Sequence, residues 1–125
     1  MSHVPPELKY TKDHEWARVA GKVVTVGITD YAQHELGDIV YVELPEKGAS
    51  VQKGEPFGEI EAVKTVASLF SPVSGKVAEV NSALADRADS INTDPYAEGW
   101  IIKIDMSDPG EAAGLLSPEQ YKELI

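Results

Sequence analysis

The sequence has 125 residues, 42% of them hydrophobic and 26% charged, a balance typical of one globular domain with its own core. Its formal net charge of −10 disfavours binding to the phosphate backbone of nucleic acids. The chain contains no cysteine, which excludes disulfides, thiol catalysis and cysteine-ligated metals, and it has no apolar run long enough to cross a membrane.

The N-terminal segment carries no recognisable targeting signal. It contains two prolines and lacks both the basic segment and the apolar stretch of a secretory signal. It also lacks the arginines of a transit peptide. We therefore expect a cytoplasmic protein, or a protein of the mitochondrial matrix if the chain is the processed form of a eukaryotic precursor.

Short segments of alternating hydrophobicity, separated by glycine- and proline-containing turns, recur along the chain. This pattern predicts antiparallel β-structure in a sandwich or barrel rather than a parallel α/β sheet. The segment 38–44 alternates most clearly. Strands are expected at 9–11, 17–19, 23–28, 38–44, 76–80 and 100–104, and in the two segments on either side of Lys64.

A short helix is predicted near 29–36. Thr29 and Asp30 suit its N-terminus, because a side-chain oxygen can cap the first turn and a negative charge complements the helix dipole. Gly37 suits its end, where a left-handed conformation is common. Ala32 and Leu36 would then share one face of the helix.

The C-terminal region 108–125 contains two helix start signals. The segments 108–111 and 117–120 each read as a capping box with proline at the first helical position. The helices that follow carry apolar side chains and are expected to pack on the sheets. The chain therefore reads as a single domain over 1–125, with a β core at about 22–104.

Lys64 is the most informative single residue. Ile60 and Ala62 alternate with polar residues before it, and a second alternating segment follows it, which predicts a β-hairpin with Lys64 at or near the tip. Its ammonium group would be in water and accessible to a modifying enzyme. Because hairpin tips are commonly polar, this pattern alone also allows an ordinary solvent-exposed lysine.

The sequence offers no convincing catalytic set. Asp13, His14 and Glu15 could form a carboxylate–histidine cluster, but they also fit a polar turn that ends at Trp16. The three histidines do not share the spacing of metal ligands. A small acidic β-domain that presents one lysine is better interpreted as a carrier than as an enzyme.

The hairpin sequence Glu61-Ala62-Val63-Lys64 resembles the Glu-x-x-Lys modification site of biotinyl and lipoyl domains. Further segments, in order along nearly the whole chain, are similar to those of the glycine cleavage system H protein family. These segments lie at 13–16, 26–33, 36–38, 42–45, 71–75 and 99–100.

The resemblance implies a fold and a cofactor. The fold would be a barrel-sandwich hybrid of two antiparallel sheets, with the lysine hairpin at one end. Lys64 would carry lipoate in amide linkage, which removes the positive charge and adds a dithiolane on a long flexible stem. Glu61 would help the lipoate-attaching enzyme to recognise the hairpin.

The resemblance also implies a carrier function without catalysis. A pyridoxal-phosphate-dependent glycine decarboxylase would load an aminomethyl group of glycine onto the lipoyl arm. A tetrahydrofolate-dependent aminomethyltransferase would take the methylene group, and dihydrolipoamide dehydrogenase would reoxidise the dithiol. The carrier itself is expected to be a monomer.

In this family the loaded arm rests in a cleft on the carrier, protected from water. The resemblance places Glu15, Thr29, Ala32 and Ser68 around that cleft, with Glu15 as a partner for the amine of the loaded arm. Many family members have an acidic residue at the position of Ser68, so this chain departs from the pattern there.

Three other interpretations remain open at this stage. A biotin carboxyl carrier has a similar hairpin, but that class favours methionine on both sides of the lysine, where this chain has Val63 and Thr65. A lipoate-relay or scaffold protein could share the fold without serving glycine oxidation. An unmodified binding module would not depend on Lys64 at all.

Overall fold

The computed structural model describes residues 2–125 of the chain. The strands are β1 (Lys9–Tyr10), β2 (Glu15–Ala20), β3 (Val23–Ile28), β4 (Ile39–Glu43), β5 (Ser50–Val51), β6 (Pro56–Ala62), β7 (Val66–Phe70), β8 (Gly75–Val80) and β9 (Ile102–Met106). The α-helices are α1 (Asp30–Leu36), α2 (Ser90–Thr93) and α3 (Pro118–Leu124), and 3-10 helices lie at Ser82–Ala85 and Pro109–Gly114.

The strands form two antiparallel sheets. The larger sheet has the order β1-β2-β3-β9-β8-β5, and the smaller sheet has the order β4-β6-β7. This architecture confirms the predicted mainly β fold with two antiparallel sheets and a few short helices. Within residues 2–125, no helix combines the length and the hydropathy needed to cross a membrane.

The main core lies between the two sheets. Val26, Val77 and Ile104 of the larger sheet and Ile60 and Leu69 of the smaller one are buried in the same cluster. In both sheets the buried residues alternate with exposed ones, because successive side chains of a strand point to opposite faces. This packing leaves the second face of the smaller sheet in solvent.

A separate aromatic cluster attaches α3 to the first strands of the larger sheet. The rings of Tyr10 and Tyr121 are stacked with their centroids 4.8 Å apart, and Trp16 packs in the same cluster. The Trp16 indole N–H donates to the carbonyl of Pro95 over 2.9 Å. The C-terminal helix is therefore fixed to the same region of the protein as β2.

Helix α1 confirms the prediction near 29–36. The Thr29 side chain accepts a hydrogen bond from the backbone N–H of Ala32, and Asp30 occupies the first turn. Gly37 ends the helix with φ of 79°, a conformation that glycine adopts at little cost.

Two strands, β2 and β9, begin two residues away from their predicted starts. Strand β2 begins at Glu15, two residues before the expected start, so Glu15 is part of the sheet and not of a polar turn. Strand β9 begins at Ile102 instead of 100, and Trp100 is only partly buried. The carbonyl of Trp100 is bonded by the Asn81 side chain, which keeps that residue in the preceding turn.

The predicted capping box at 108–111 does not form. Asp108 accepts from the N–H of Gly110, but the Glu111 carboxylate accepts from the backbone N–H and the hydroxyl of Ser74, at 2.7 and 3.0 Å. The segment becomes a 3-10 helix instead. The second predicted box is confirmed: Ser117 and Gln120 bond reciprocally at the start of α3.

Candidate functional site

Lys64 lies in the loop of the β6–β7 hairpin, as its sequence context predicts. Glu61 pairs with Val66 at the end of the ladder, and the backbone N–H of Ala62 donates to the carbonyl of Thr65 over 2.8 Å. The N–H of Val63 donates to the carbonyl of Asp38 over 3.0 Å. Backbone bonds on both sides therefore fix the tip, while the Lys64 side chain is exposed.

The stem of Lys64 lies against the end of α1. A Cβ atom added to Gly37 would come within 3.3 Å of Lys64 Cε. Gly37 directly follows Leu36, which lines a cleft between α1, the β1–β2 turn and the smaller sheet. The attachment point of any group on Lys64 is therefore next to the mouth of this cleft.

The cleft has a volume of about 260 Å³ and mainly apolar walls. Three of the four predicted cleft residues, Glu15, Ala32 and Ser68, lie in its lining. The complete lining is Asp13, His14, Glu15, Ile28, Tyr31, Ala32, Glu35, Leu36, Ile60, Ala67, Ser68 and Leu69.

Thr29 is placed differently from the expectation. Its side chain is completely buried and does not line the cleft. Its hydroxyl caps α1 and is hydrogen-bonded to the hydroxyl of Tyr121 over 2.7 Å. Thr29 thus supports the cleft by fixing the helix that forms one of its walls.

Glu15 supplies a buried carboxyl group to the cleft. Its side chain is only 2% exposed; it accepts from the Thr11 hydroxyl at 2.6 Å and from the backbone N–H of Phe70 at 3.3 Å. Burial raises the pKa of Glu15 to about 7, against the opposing effect of these two hydrogen bonds. Near neutral pH this group can therefore exist in either protonation state.

His14 does not bond the carboxylate next to it, so the carboxylate–histidine cluster suggested by the sequence is not formed. Its Nδ1 lies 2.9 Å from the Tyr121 hydroxyl, and its ring is 4.9 Å from that of Tyr31. Burial lowers the pKa of His14. His14 also has a positive φ of 69°, which turns the chain sharply just before β2.

Glu61 lies outside the cleft, on the solvent-exposed face of the smaller sheet. It pairs with Tyr41 on β4 and with Val66 on β7, so all three side chains share that face. Glu61 is therefore presented on the outside of the hairpin, whereas Ala67 and Leu69 of the same hairpin line the cleft.

The arrangement joins an exposed primary amine to an apolar cleft that ends at a buried carboxyl group. It can hold a flexible, largely apolar group attached to Lys64 and shield the distal end of that group from water. The carboxyl of Glu15 could then pair with a cation at that end.

Comparison with known proteins shows which protein family the chain is related to. The family model described as glycine cleavage H-protein matches residues 8–125. The chain belongs to the glycine cleavage H-protein family. It is 57% identical to the glycine cleavage system H protein of Rubrobacter xylanophilus, over 97% of this chain and 94% of that one. It is 53% identical to that of Halalkalibacterium halodurans, over 100% and 98%.

A solved structure of the same family has a closely similar fold. The crystal structure of a glycine cleavage system H protein from Mycobacterium marinum superposes with a TM-score of 0.88 at 42% sequence identity. The match covers 96% of this chain and 97% of that chain. The family resemblance inferred from the sequence motifs is thereby confirmed.

Sequence reasoning missed several residues of the cleft. Ala67 and Leu69 alternate with Ser68 on β7, so strand parity alone would have placed them on the face opposite to this expected cleft residue, although all three line the cleft. Tyr121 does not line the cleft but bonds His14 in its wall, and this support could not have been found because the contact joins residues 107 positions apart. Only the packing of α3 brings these two side chains together.

Proposed function

We propose that this chain is the lipoyl carrier of a glycine cleavage system, with lipoate attached to Lys64. The observation that carries the proposal is the position of Lys64: exposed at a fixed hairpin tip, next to the mouth of an apolar cleft that ends at Glu15. Family membership supports the same function.

The site fits lipoate chemically. The Lys64 amine is accessible for amide formation, and the apolar walls of the cleft suit an aliphatic stem. When attached, lipoate supplies a dithiolane that can be reduced, carry a one-carbon amine and be reoxidised. The chain provides the anchor, the resting place and the surface that its enzymes recognise.

The length of the cleft wall also matches the reach of a lipoyl-lysine. From Val66 to Phe70, β7 takes four residue steps, about 13 Å at the usual strand rise. A lipoyl-lysine has about twelve bonds between Cα and the ring, an extended reach of about 15 Å. The backbone N–H of Phe70 bonds Glu15, so a group resting along β7 would end close to that carboxyl.

Glu15 would pair with the amine of the loaded arm. A cation beside the carboxylate would favour its charged form and offset the cost of burial. Asp13 and Glu35 also line the cleft and would contribute negative charge, although Ser68 does not. The electrostatics of the cleft therefore suit a cationic cargo such as the aminomethyl group of glycine.

The remaining steps would be carried out by partner enzymes. The PLP-dependent glycine decarboxylase would load the arm, the tetrahydrofolate-dependent aminomethyltransferase would take the methylene group, and dihydrolipoamide dehydrogenase would restore the disulfide. The chain would act in the compartment of these enzymes, the cytoplasm of a bacterial cell, as a carrier that catalyses none of the steps itself.

The first test compares Lys64→Arg with Lys47→Arg, a matched change at another exposed lysine in a turn. Purified chains are incubated with a lipoate-attaching enzyme and analysed by peptide mass spectrometry. Decarboxylation is then followed as release of labelled CO2 from carboxyl-labelled glycine in the presence of glycine decarboxylase. We expect Lys64→Arg to abolish both signals, since arginine cannot form the amide, and Lys47→Arg to keep both.

The outcomes separate the alternatives. A wild-type chain that remains unmodified under lipoate-replete conditions would contradict the proposal. A chain that is lipoylated but supports no CO2 release would favour the lipoate-relay interpretation. Biotin on Lys64 would indicate a carboxyl carrier.

The second test concerns Glu15→Gln. The amide keeps the size of the side chain and can still accept from Thr11, but it removes the negative charge. We expect normal lipoylation of Lys64 and a shorter lifetime of the aminomethyl-loaded carrier, measured as formaldehyde and ammonia released over time. An unchanged lifetime would show that Glu15 does not protect the cargo.

A further inference from the structure

Helix α1, which forms one wall of the cleft, is held at both of its ends by one short segment of the chain. This segment, residues 90–96, contains α2 and the turn that follows it, and we call it the clamp segment. Asn92 bonds the C-terminal end of α1, and Tyr96 bonds its N-terminal end. The two ends of the helix are therefore tied to residues only four positions apart.

The Asn92 side chain makes three hydrogen bonds at the junction between α1 and β4. Its Nδ2 donates to the carbonyl of Gly37 over 2.8 Å and to Gln33 Oε1 over 3.1 Å. Its Oδ1 accepts from the backbone N–H of Ile39 over 2.9 Å. One side chain thus fixes the last turn of the helix, the glycine that ends it and the first residue of the next strand.

The junction that Asn92 fixes is also at the mouth of the cleft. The carbonyl of Asp38 accepts from the N–H of Val63 in the hairpin loop, and the stem of Lys64 lies against Gly37. A displacement of this junction would therefore move the point at which a group on Lys64 enters the cleft.

Tyr96 fixes the opposite end of the helix. Its hydroxyl accepts from the backbone N–H of Asp30 over 2.9 Å and donates to the carbonyl of His3 over 2.6 Å. The N–H of His3 in turn donates to the Asp30 carboxylate over 3.0 Å. These three residues bond in a closed ring, which ties the first turn of α1 to the clamp segment.

The clamp segment is anchored to the core and to β2. Ile91 is completely buried, and the carbonyl of Pro95 accepts from the indole N–H of Trp16 over 2.9 Å. Trp16 directly follows Glu15 on β2. A Cβ atom added to Gly99 would come within 2.9 Å of Ile91 Cα, so the next turn packs tightly against the segment. The clamp segment therefore links α1 to the strand that carries Glu15.

Helix α1 depends on such contacts because it is short. It has seven residues, whereas an isolated helix needs roughly 12 to 15 residues to be even marginally stable in water. Ala32 and Leu36 line the cleft and are only partly buried, so they stabilise the helix less than fully buried side chains would. The hydrogen bonds at the two ends of α1 therefore have a large part in deciding where this wall lies.

We propose that Asn92 and Tyr96 are positioning residues for the lipoyl arm. By fixing both ends of α1, they set the width of the cleft between this helix and the smaller sheet, and with it the time for which a loaded arm stays out of water. Neither side chain lines the cleft, so both act through α1. This inference rests on the proposed function of Lys64.

The test uses Asn92→Ala and Tyr96→Phe, with Glu111→Ala as the matched control. Each change removes two or three hydrogen bonds of one side chain. The bonds of Glu111 join the C-terminal 3-10 helix to Ser74, and Glu111 neither bonds α1 nor lines the cleft. The control therefore destabilises the protein without releasing α1.

Two rates are measured for each chain. The lipoylated chain is loaded by glycine decarboxylase and separated from it, and loss of the aminomethyl group is followed as formaldehyde released over time. Hydrogen exchange of the α1 amides is measured on the unmodified chain, so this second rate does not depend on lipoate. Unfolding curves in urea check that all variants are folded and give their stability.

We expect Asn92→Ala and Tyr96→Phe each to raise the rate of aminomethyl loss about tenfold, because losing the net contribution of one or two hydrogen bonds shifts a local opening equilibrium by about that factor. Hydrogen exchange in α1 should become faster by a similar factor. Glu111→Ala should also lose stability, but both of its rates should stay within about twofold of the wild-type values.

The outcomes separate this inference from the proposed function. Wild-type rates of aminomethyl loss in Asn92→Ala and Tyr96→Phe would overturn the positioning role, and so would unchanged hydrogen exchange in α1. An equal rise in Glu111→Ala would also overturn it, because the effect would then follow from general destabilisation. In each of these cases a wild-type chain that is lipoylated and loaded still supports the proposed function. A wild-type chain that accepts no lipoate would contradict the proposed function itself.

Discussion

The two ends of the cleft differ in their exposure and in the hydrogen bonds that hold them. At one end the hairpin exposes Lys64 and is held by backbone hydrogen bonds, with few side chains involved. At the other end Glu15, Thr29 and Tyr121 are almost completely buried and are held by side-chain hydrogen bonds. One end presents a group to other proteins, and the other can hold a group away from water.

This difference matches what each end has to do. A lysine that must enter the active site of another enzyme needs a firm backbone and a free side chain. A carboxyl that must receive a cation needs low exposure, fixed geometry and a tunable charge, which burial provides by raising the pKa of Glu15 to about 7. Variants that disturb the backbone at the exposed end and variants that remove polar groups at the buried end should therefore have different effects on stability.

The largest stability effect is expected at the hairpin backbone, for Gly58→Ala. A Cβ atom at Gly58 would collide with the carbonyl oxygen of Glu43, and a paired backbone cannot move aside as a side chain can. We expect a loss of at least about 3 kcal/mol in the free energy of unfolding, measured in urea.

The matched control is Gly114→Ala in the 3-10 helix. The nearest atom to its added Cβ is Lys53 Nζ, at 3.1 Å, the end of a flexible side chain that can move aside. A change within about 0.5 kcal/mol is expected there. Equal effects at both glycines would show that the smaller sheet tolerates a displacement of its backbone. Backbone packing would then not be what fixes the hairpin.

The next effect concerns Glu15→Gln and pH. The pKa of Glu15 is raised from 4.5 to about 7 in the folded state, so the wild-type chain pays a growing cost of burying a charge as pH rises through this range. Below about pH 4.5 the group is neutral in both states and the cost vanishes. The stability of wild type relative to Glu15→Gln should therefore fall by up to about 3 kcal/mol between pH 4.5 and pH 8.

The measurement is the difference between the two unfolding free energies at each pH. Taking the difference removes the contributions of the other acidic residues, which both chains share. Two parallel stability curves would mean that Glu15 titrates normally and that the cleft is wetter at this end than the structure indicates.

Much of the exposed end could be predicted from sequence, because its signals are local. The alternation around Lys64 gives the hairpin, and Thr29 with Gly37 gives the bounds of α1. These features depend on residues within a few positions of each other, where backbone preferences and strand parity decide the conformation.

The buried end could be predicted only in part. Glu15 was found through a family motif, but its place inside β2 depends on pairing with Ile28. Thr29 was expected in the cleft and instead bonds Tyr121 below it. Such contacts join residues far apart in the chain, and periodicity carries no information on which distant side chains will meet.

The smallest effect is expected for Tyr121→Phe, which tests whether hydrogen bonds stabilise the buried end. The ring and its stacking on Tyr10 would remain, but the bonds from its hydroxyl to His14 and Thr29, at 2.9 and 2.7 Å, would be lost. We expect a loss of about 1 to 2 kcal/mol in unfolding free energy, since buried polar partners would be left unpaired. Tyr41→Phe, at the half-exposed tyrosine of the hairpin end, should change stability by less than about 0.5 kcal/mol. A similar small change for both tyrosines would mean that the buried end depends on packing alone, and that the contrast between the two ends does not extend to their polar groups.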